Sequence, residues 1–124
     1  MKVLGIDNVF LQVGDLDEAV RFYGEVIGLP VHKRFDAMGM VLFAIGDETP
    51  GLGVGATEDP VPGGSKLWFE VPDARAVAEE LMVHGVGTVK PAFQIPTGWT
   101  VEVVDPWGNQ LGFTDYTGMP ALGR

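Results

Sequence analysis

Alternation of apolar and polar positions begins at residue 8. In Asn8-Val9-Phe10-Leu11-Gln12-Val13 the aliphatic side chains Val9, Leu11 and Val13 form one row. Lys66-Leu67-Trp68-Phe69-Glu70-Val71 repeats the pattern with Leu67, Phe69 and Val71. A period of two predicts a strand with one face on the core. Each strand then reaches an aspartate, Asp15 or Asp73, of the type that caps helix N-termini. Helical spacing follows both. Leu16, Ala19, Val20, Tyr23 and Ile27 form the first stripe, and Glu18 completes a capping-box-like start three residues after Asp15. Phe22 is expected in the core as well. Ala74, Val77, Ala78 and Leu81 form the second stripe. Gly28 and Pro30 end the first helix, and Gly85 ends the second.

The remaining apolar runs predict short strands over residues 31–35, 40–45 and 51–55, matched by 88–93, 100–104 and 110–115. Each half is therefore β-α-β-β-β, an internal repeat within an α+β domain. Residues 56–65 contain Pro60, Pro62, Gly63 and Gly64 and read as the linker. Asp105-Pro106-Trp107-Gly108-Asn109 reads as a hairpin turn, with Gly108 at positive φ and Asp105 and Asn109 bonding local backbone. Residues 1–116 form one domain on this reading, with module one at about 4–55 and module two at 66–116. The tail, 117–124, shows no periodicity and is expected to be loosely held.

Charge narrows the partners. Among 124 residues, Lys and Arg number 8 against 17 Asp and Glu, a net charge of −9. A binder of nucleic-acid phosphates or of an anionic membrane surface needs the opposite sign. A cationic small molecule would be attracted, although acidity also serves plain solubility. The chain has no Cys, which removes disulfides, thiolate nucleophiles, zinc ribbons and iron–sulfur clusters and suits a reducing cytosol, so a cytoplasmic protein is expected. No apolar run approaches the ~18 residues of a membrane span, and the first residues lack a signal-peptide pattern. Other chemistries find little support. Ser65 is the only serine, and no Gly-x-Ser-x-Gly elbow surrounds it. Gly51-Leu52-Gly53-Val54-Gly55 has the glycines of a dinucleotide loop, but Pro60 argues against the helix that should follow. Glu79 and Glu80 are expected on a solvated helix face.

The paired modules, the opening NVFLQVGDLDEAVRFYGEVIGL and the closing VVDPWGNQLGF resemble the vicinal oxygen chelate superfamily. That group includes glyoxalase I, bleomycin-resistance proteins, extradiol dioxygenases and fosfomycin-resistance proteins. The resemblance spans residues about 4 to 116. It implies two βαβββ modules forming a curved mixed sheet around a cup, with helices outside, and a homodimer. Metal-dependent members take an imidazole or amide ligand from the first strand of each module and a carboxylate from the last. By the resemblance those positions are Asn8, Gly53, Lys66 and Gly112 here. Glycine offers no donor, lysine at neutral pH donates only, and asparagine is one weak oxygen ligand. A catalytic divalent site needs about three protein ligands, so no metal or other cofactor is expected. His32 and His84 have no ligand partner at a suitable spacing and read as surface or partly packed histidines.

Strand parity then gives a cup lining of Asn8, Phe10, Gln12, Lys66, Trp68, Glu70, Gln110, Gly112 and Thr114, with Gly53 leaving room on the fourth strand. Trp99 is expected at the rim, and Glu102 in the cup beside Thr100 if the parity of that strand allows. Trp107 covers the cup or stays exposed. Lys66 and Glu70, four positions apart on one strand face, could simply pair. Two readings follow. The first is a metal-free binding protein of the bleomycin-resistance type that holds an organic ligand, aromatic and cationic, in the cup or dimer groove, as in antibiotic resistance by sequestration. The second is an enzyme, a lyase, isomerase or glyoxalase-like protein, using a displaced metal or Glu70, Glu102 and Lys66 as acid–base groups.

Overall fold

The computed structural model describes residues 2, 4 and 6–124, and of residue 49 the backbone alone. The part of the expected domain at Met1, Val3 and Gly5 lies outside the described residues. The chain divides into two compact units, Met1–Pro62 and Gly63–Arg124.

In the first unit, strand β1 (Asn8–Val13) leads into helix α1 (Leu16–Ala19), which continues as a π-wound segment, Val20–Val26. Strands β2 (Val31–Phe35), β3 (Met40–Ile45) and β4 (Glu48–Ala56) follow. The sheet order is β1-β4-β3-β2, with β1 parallel to β4 and the other pairs antiparallel. The second unit repeats this with β5 (Leu67–Glu70), α2 (Ala74–Val83), β6 (Thr88–Ile95), β7 (Gly98–Val104) and β8 (Gln110–Thr114). Its order is β5-β8-β7-β6, with β5 parallel to β8. Each unit is thus a βαβββ module with an open four-stranded mixed sheet, as the pattern predicts. No helix among the described residues is long and apolar enough to cross a membrane.

The predicted alternation sorts the side chains. Leu11, Val13, Val41, Phe43, Leu52 and Val54 are buried in the first unit, and Phe69, Val101, Val103, Leu111 and Phe113 in the second. The Phe69 and Phe113 rings stack at 5.4 Å. Both helix starts are as expected. The Asp15 carboxylate accepts from Glu18 N at 2.8 Å, and the Asp73 carboxylate accepts from Arg75 N and Ala76 N.

The first helix departs from the expected regular stripe. Ile27 N bonds Phe22 O at 2.9 Å, an i to i−5 spacing, and Leu29 N reaches Tyr23 O. The wider winding turns the inward face by one residue. Ala19, Phe22, Tyr23 and Val26 are buried, whereas Val20 and Ile27 are half-buried. Tyr23 meets Phe22 edge-on at 5.0 Å and lies 5.9 Å from Phe43. Several strands also outrun their expected ends, because ladder bonds continue past the apolar core. β4 starts at Glu48 and takes in Ala56 from the expected linker, β6 reaches Ile95 and β7 begins at Gly98.

The tail is not loose. Gly118 N and Met119 N donate to Thr97 O, Pro120–Leu122 forms one tight turn, and Arg124 binds Glu70. Each end of the linker is held on its own unit. Val61 N donates to Gln12 Oε1 at 2.8 Å, and Gly63 N donates to Asn109 Oδ1 at 2.9 Å.

Candidate functional site

The sheet faces turned away from the helices carry the candidate residues. In the first unit, Asn8, Phe10 and Gln12 stand opposite Gly51, Gly53 and Gly55 of β4. Leu42 and Met40 continue two of these rows on β3, and Lys33 and Phe35 on β2. The three glycines leave that strand without side chains on this face. Phe10 is 51% exposed, and its ring tip takes the space a Cβ on Gly55 would need. Asn8 Oδ1 lies 2.9 Å from where a Cβ on Gly53 would sit, and its amide donates to Asp7 Oδ2. A cleft of about 420 Å³ at the start of β1 is bordered by Asp7, Asn8, His32, Leu42, Asp47 and Glu48.

In the second unit, Trp68, Gly112, Glu102 and Lys90 form one row across the sheet. Glu70, Thr114 and Thr100 form the next, ending on Phe93. Trp68 is 46% exposed. Its ring covers Gly112 so closely that any Cβ there would collide with it. Lys66 Nζ ion-pairs with Glu102 Oε1 and lies 5.3 Å from the Trp68 ring centre. A notch of about 50 Å³ between strands is lined by Lys66, Glu102 and Gln110 with Val89 and Val103.

The parity argument for Glu102 therefore holds: it shares the face of Thr100, Gly112 and Trp68. Two expectations change. Lys66 does not pair with Glu70, because the cross-strand carboxylate of Glu102 reaches it. Glu70 instead accepts from the backbone N–H of Arg124 at 2.7 Å and from its guanidinium at 2.5 Å. Those two donations, the backbone one foremost, hold the Glu70 carboxyl below the usual carboxylate range. Trp99 is not a rim residue of this face. It lies on the opposite side of β7 with Val101, and the Arg75 guanidinium of α2 sits 4.4 Å over its ring. Trp107 lies half-buried in the turn, where its N–H donates to Asp105 Oδ1.

Two buried carboxylates frame the face from behind. Asp105 accepts from Trp107 N, Asn109 N and Asn109 Nδ2, closing the turn before β8, and Gly108 takes φ 87°. In the sequence pattern Asp115 is only the end of a strand. It accepts from Ala74 N, Trp99 N, Thr117 N and Thr117 Oγ1, tying the start of α2 to β7 and the tail. Burial raises its pKa, but these four donors outweigh burial and lower it from 3.8 to about 2.

The four positions at which the superfamily resemblance would place metal ligands do not fit a divalent ion. Gly53 and Gly112 have no donor, the space beside Gly112 is filled by the Trp68 ring, and Lys66 brings positive charge to Glu102. His32 borders the acidic cleft and His84 is exposed at the end of α2. Among the described residues no three His, Asp or Glu side chains gather as a metal site.

A family model of the Glyoxalase/Bleomycin resistance protein/Dioxygenase superfamily matches residues 5–113. Solved structures share the fold. An antibiotic binding protein from a Streptomyces species has a TM-score of 0.79 at 21% identity, covering 94% of this chain and 99% of its own. A member of the same superfamily from Sphaerobacter thermophilus has a TM-score of 0.78 at 20% identity, covering 93% and 99%. A lactoylglutathione lyase from Agrobacterium tumefaciens has a TM-score of 0.72 at 20% identity, covering 93% and 96%. No curated protein sequence matches the chain.

Proposed function

The chain belongs to the Glyoxalase/Bleomycin resistance protein/Dioxygenase superfamily, and on that premise we propose that it is a metal-independent binding protein for a planar, cationic organic molecule. The observation that carries this reading is the Trp68 ring lying over Gly112. Where a metal-dependent relative would present a carboxylate, this chain presents a half-exposed aromatic plane. Such a plane stacks on flat ligands and attracts cations to its face. Phe10 over Gly55 supplies a second plane in the other unit. The net charge of −9 draws cations toward the protein. The likeness to an antibiotic binding protein supports sequestration of such a compound, an antibiotic among the candidates. In this reading the protein is a cytoplasmic homodimer, and binding without turnover is its function.

Titration of tryptophan fluorescence with proflavine, a planar cation, tests the reading against anthracene-2-sulfonate, a planar anion. Saturable, stoichiometric binding of the cation at micromolar concentration or tighter is expected, with the anion at least tenfold weaker. Equal binding of both, or none of the cation, overturns the reading. So does native mass spectrometry that finds one Ni²⁺, Zn²⁺ or Mn²⁺ bound per chain. The same spectra read the dimer mass. Chemical conversion of a bound ligand, lost in Lys66→Met or Glu102→Gln with binding kept, would replace it with the acid–base enzyme.

A further inference from the structure

The segment after β8 ends with a cation seated on a candidate ligand residue. Glu70 follows Trp68 by two positions on β5, so both project from one strand face about 7 Å apart. The Glu70 side chain is 18% exposed and accepts two hydrogen bonds from Arg124, whose own side chain is 69% exposed. The carboxylate is thus enclosed and already satisfied by a guanidinium, while that guanidinium stands largely in water. Withdrawing Arg124 would leave the Glu70 carboxylate without these two donors, beside an exposed aromatic ring.

The rest of the segment can release Arg124 without unfolding the sheet. Its nearer anchors are separate from Glu70: Thr117 bonds Asp115, and Gly118 and Met119 bond Thr97. Beyond them Leu122 N and Gly123 N bond only within the segment. Residues 120–123 lie between the Thr97 anchor and the Glu70 contact and include Gly123, packed on Tyr116.

We infer that Glu70 is a subsite for a guanidinium, amidinium or ammonium group of the ligand, and that Arg124 occupies it in the unliganded protein as an internal competitor. This rests on the reading of Trp68 as a stacking plane and deepens it. The ligand carries its positive group about one strand repeat from its aromatic ring. Binding displaces Arg124, so the measured affinity includes the loss of that contact.

3-Phenylpropylammonium has this reach when its propyl chain is extended, and 3-phenylpropan-1-ol is its neutral counterpart. Both are titrated into the full chain and into Arg124→Ala, with binding read by chemical-shift changes at the Trp68 indole N–H. Arg124 is exposed, so the variant is expected to fold as the wild type does, and its circular dichroism and Tm check that. 3-Phenylpropylammonium is expected to bind Arg124→Ala at least fivefold tighter than wild type, and 3-phenylpropan-1-ol is expected to show no gain. Adding Glu70→Gln to Arg124→Ala should remove the gain. An unchanged affinity in Arg124→Ala, or a gain that survives Glu70→Gln, overturns the subsite. If that happens while proflavine still binds through Trp68, the binding function stands and only the role of Arg124 and Glu70 falls. If proflavine also fails, the broader reading falls with it.

Discussion

The two units place different chemistry on equivalent sheet faces. In the first, the central row is Phe10, Gly53, Leu42 and Lys33; in the second it is Trp68, Gly112, Glu102 and Lys90. An aromatic ring covers a glycine in both, Phe10 over Gly55 and Trp68 over Gly112. Around that shared plane the units diverge. Beside Phe10 the first face carries the three glycines, Leu42 and Met40, with the amides Asn8 and Gln12 on β1 and Lys33 and Phe35 on β2. The second carries two partly enclosed carboxylates, Glu102 and Glu70, each held by a cation. The repeat therefore supplies contact area twice and charge selectivity once. The supports behind the faces differ too. Asp115 fastens helix, strand and tail in the second unit, whereas the equivalent position after the glycine row of the first is Ala56.

Removing that support should break the comparison most strongly. Asp115→Ala leaves three backbone N–H groups and a hydroxyl without their acceptor, and a loss of about 3 kcal/mol is expected in urea unfolding. The acid limb sharpens the point. The native pKa near 2 lies below the ordinary 3.8. The charged carboxylate therefore stabilises the fold fully above the ordinary value, and this is lost as pH falls through about 2. Asp115→Asn should flatten the decline in stability between pH 4 and 2.

The aromatic planes come next. Trp68→Ala should weaken proflavine binding by about tenfold, the size of one stacking contact, and Phe10→Ala should weaken it less. Neither should lower Tm appreciably, since both rings are half exposed. Equal losses in the two variants would mean that charge in the second unit adds nothing to selectivity. Glu102→Leu copies Leu42 into the second unit. It should cost about 1 kcal/mol or less in stability and reduce the preference for proflavine over anthracene-2-sulfonate. Adding Lys66→Met should recover the lost stability. The smallest effect is expected for Arg34→Ala in the first unit. Asp36 and Asp17 both bond Arg34 and raise its pKa, yet these ion pairs stand in water, so Tm should barely move.

Much of this architecture was legible in the chain. Alternation at Val9, Leu11 and Val13 and at Leu67 and Phe69 identifies the strands because burial on one face leaves a period of two. Asp15 and Asp73 mark helix starts because their bonds are local. The shared face of Phe10 with Gln12 and of Trp68 with Glu70 follows from the same period, while Glu102 joins the second through the register of β7. What could not be read depends on partners distant in sequence. Lys66 chooses Glu102 over Glu70 because of strand order, which alternation does not encode. Trp99 lies on the helix side through the register of β7. Asp115 gathers donors from α2, β7 and the tail, with no local signature. The π winding after Ala19, which buries Phe22, Tyr23 and Val26, has no signal in the regular stripe. The tail has no periodicity because single bonds hold it, not a packed face.

In each unit the first strand lies beside the last, and β1 and β4 meet across about 40 intervening residues. No local hairpin can assemble that edge. During synthesis the first sheet must wait until β4 has left the ribosome, yet it can close before β8, which the second sheet needs, has followed it out. The sequence between the two units thus also separates two folding events in time, each completed by its own parallel pairing.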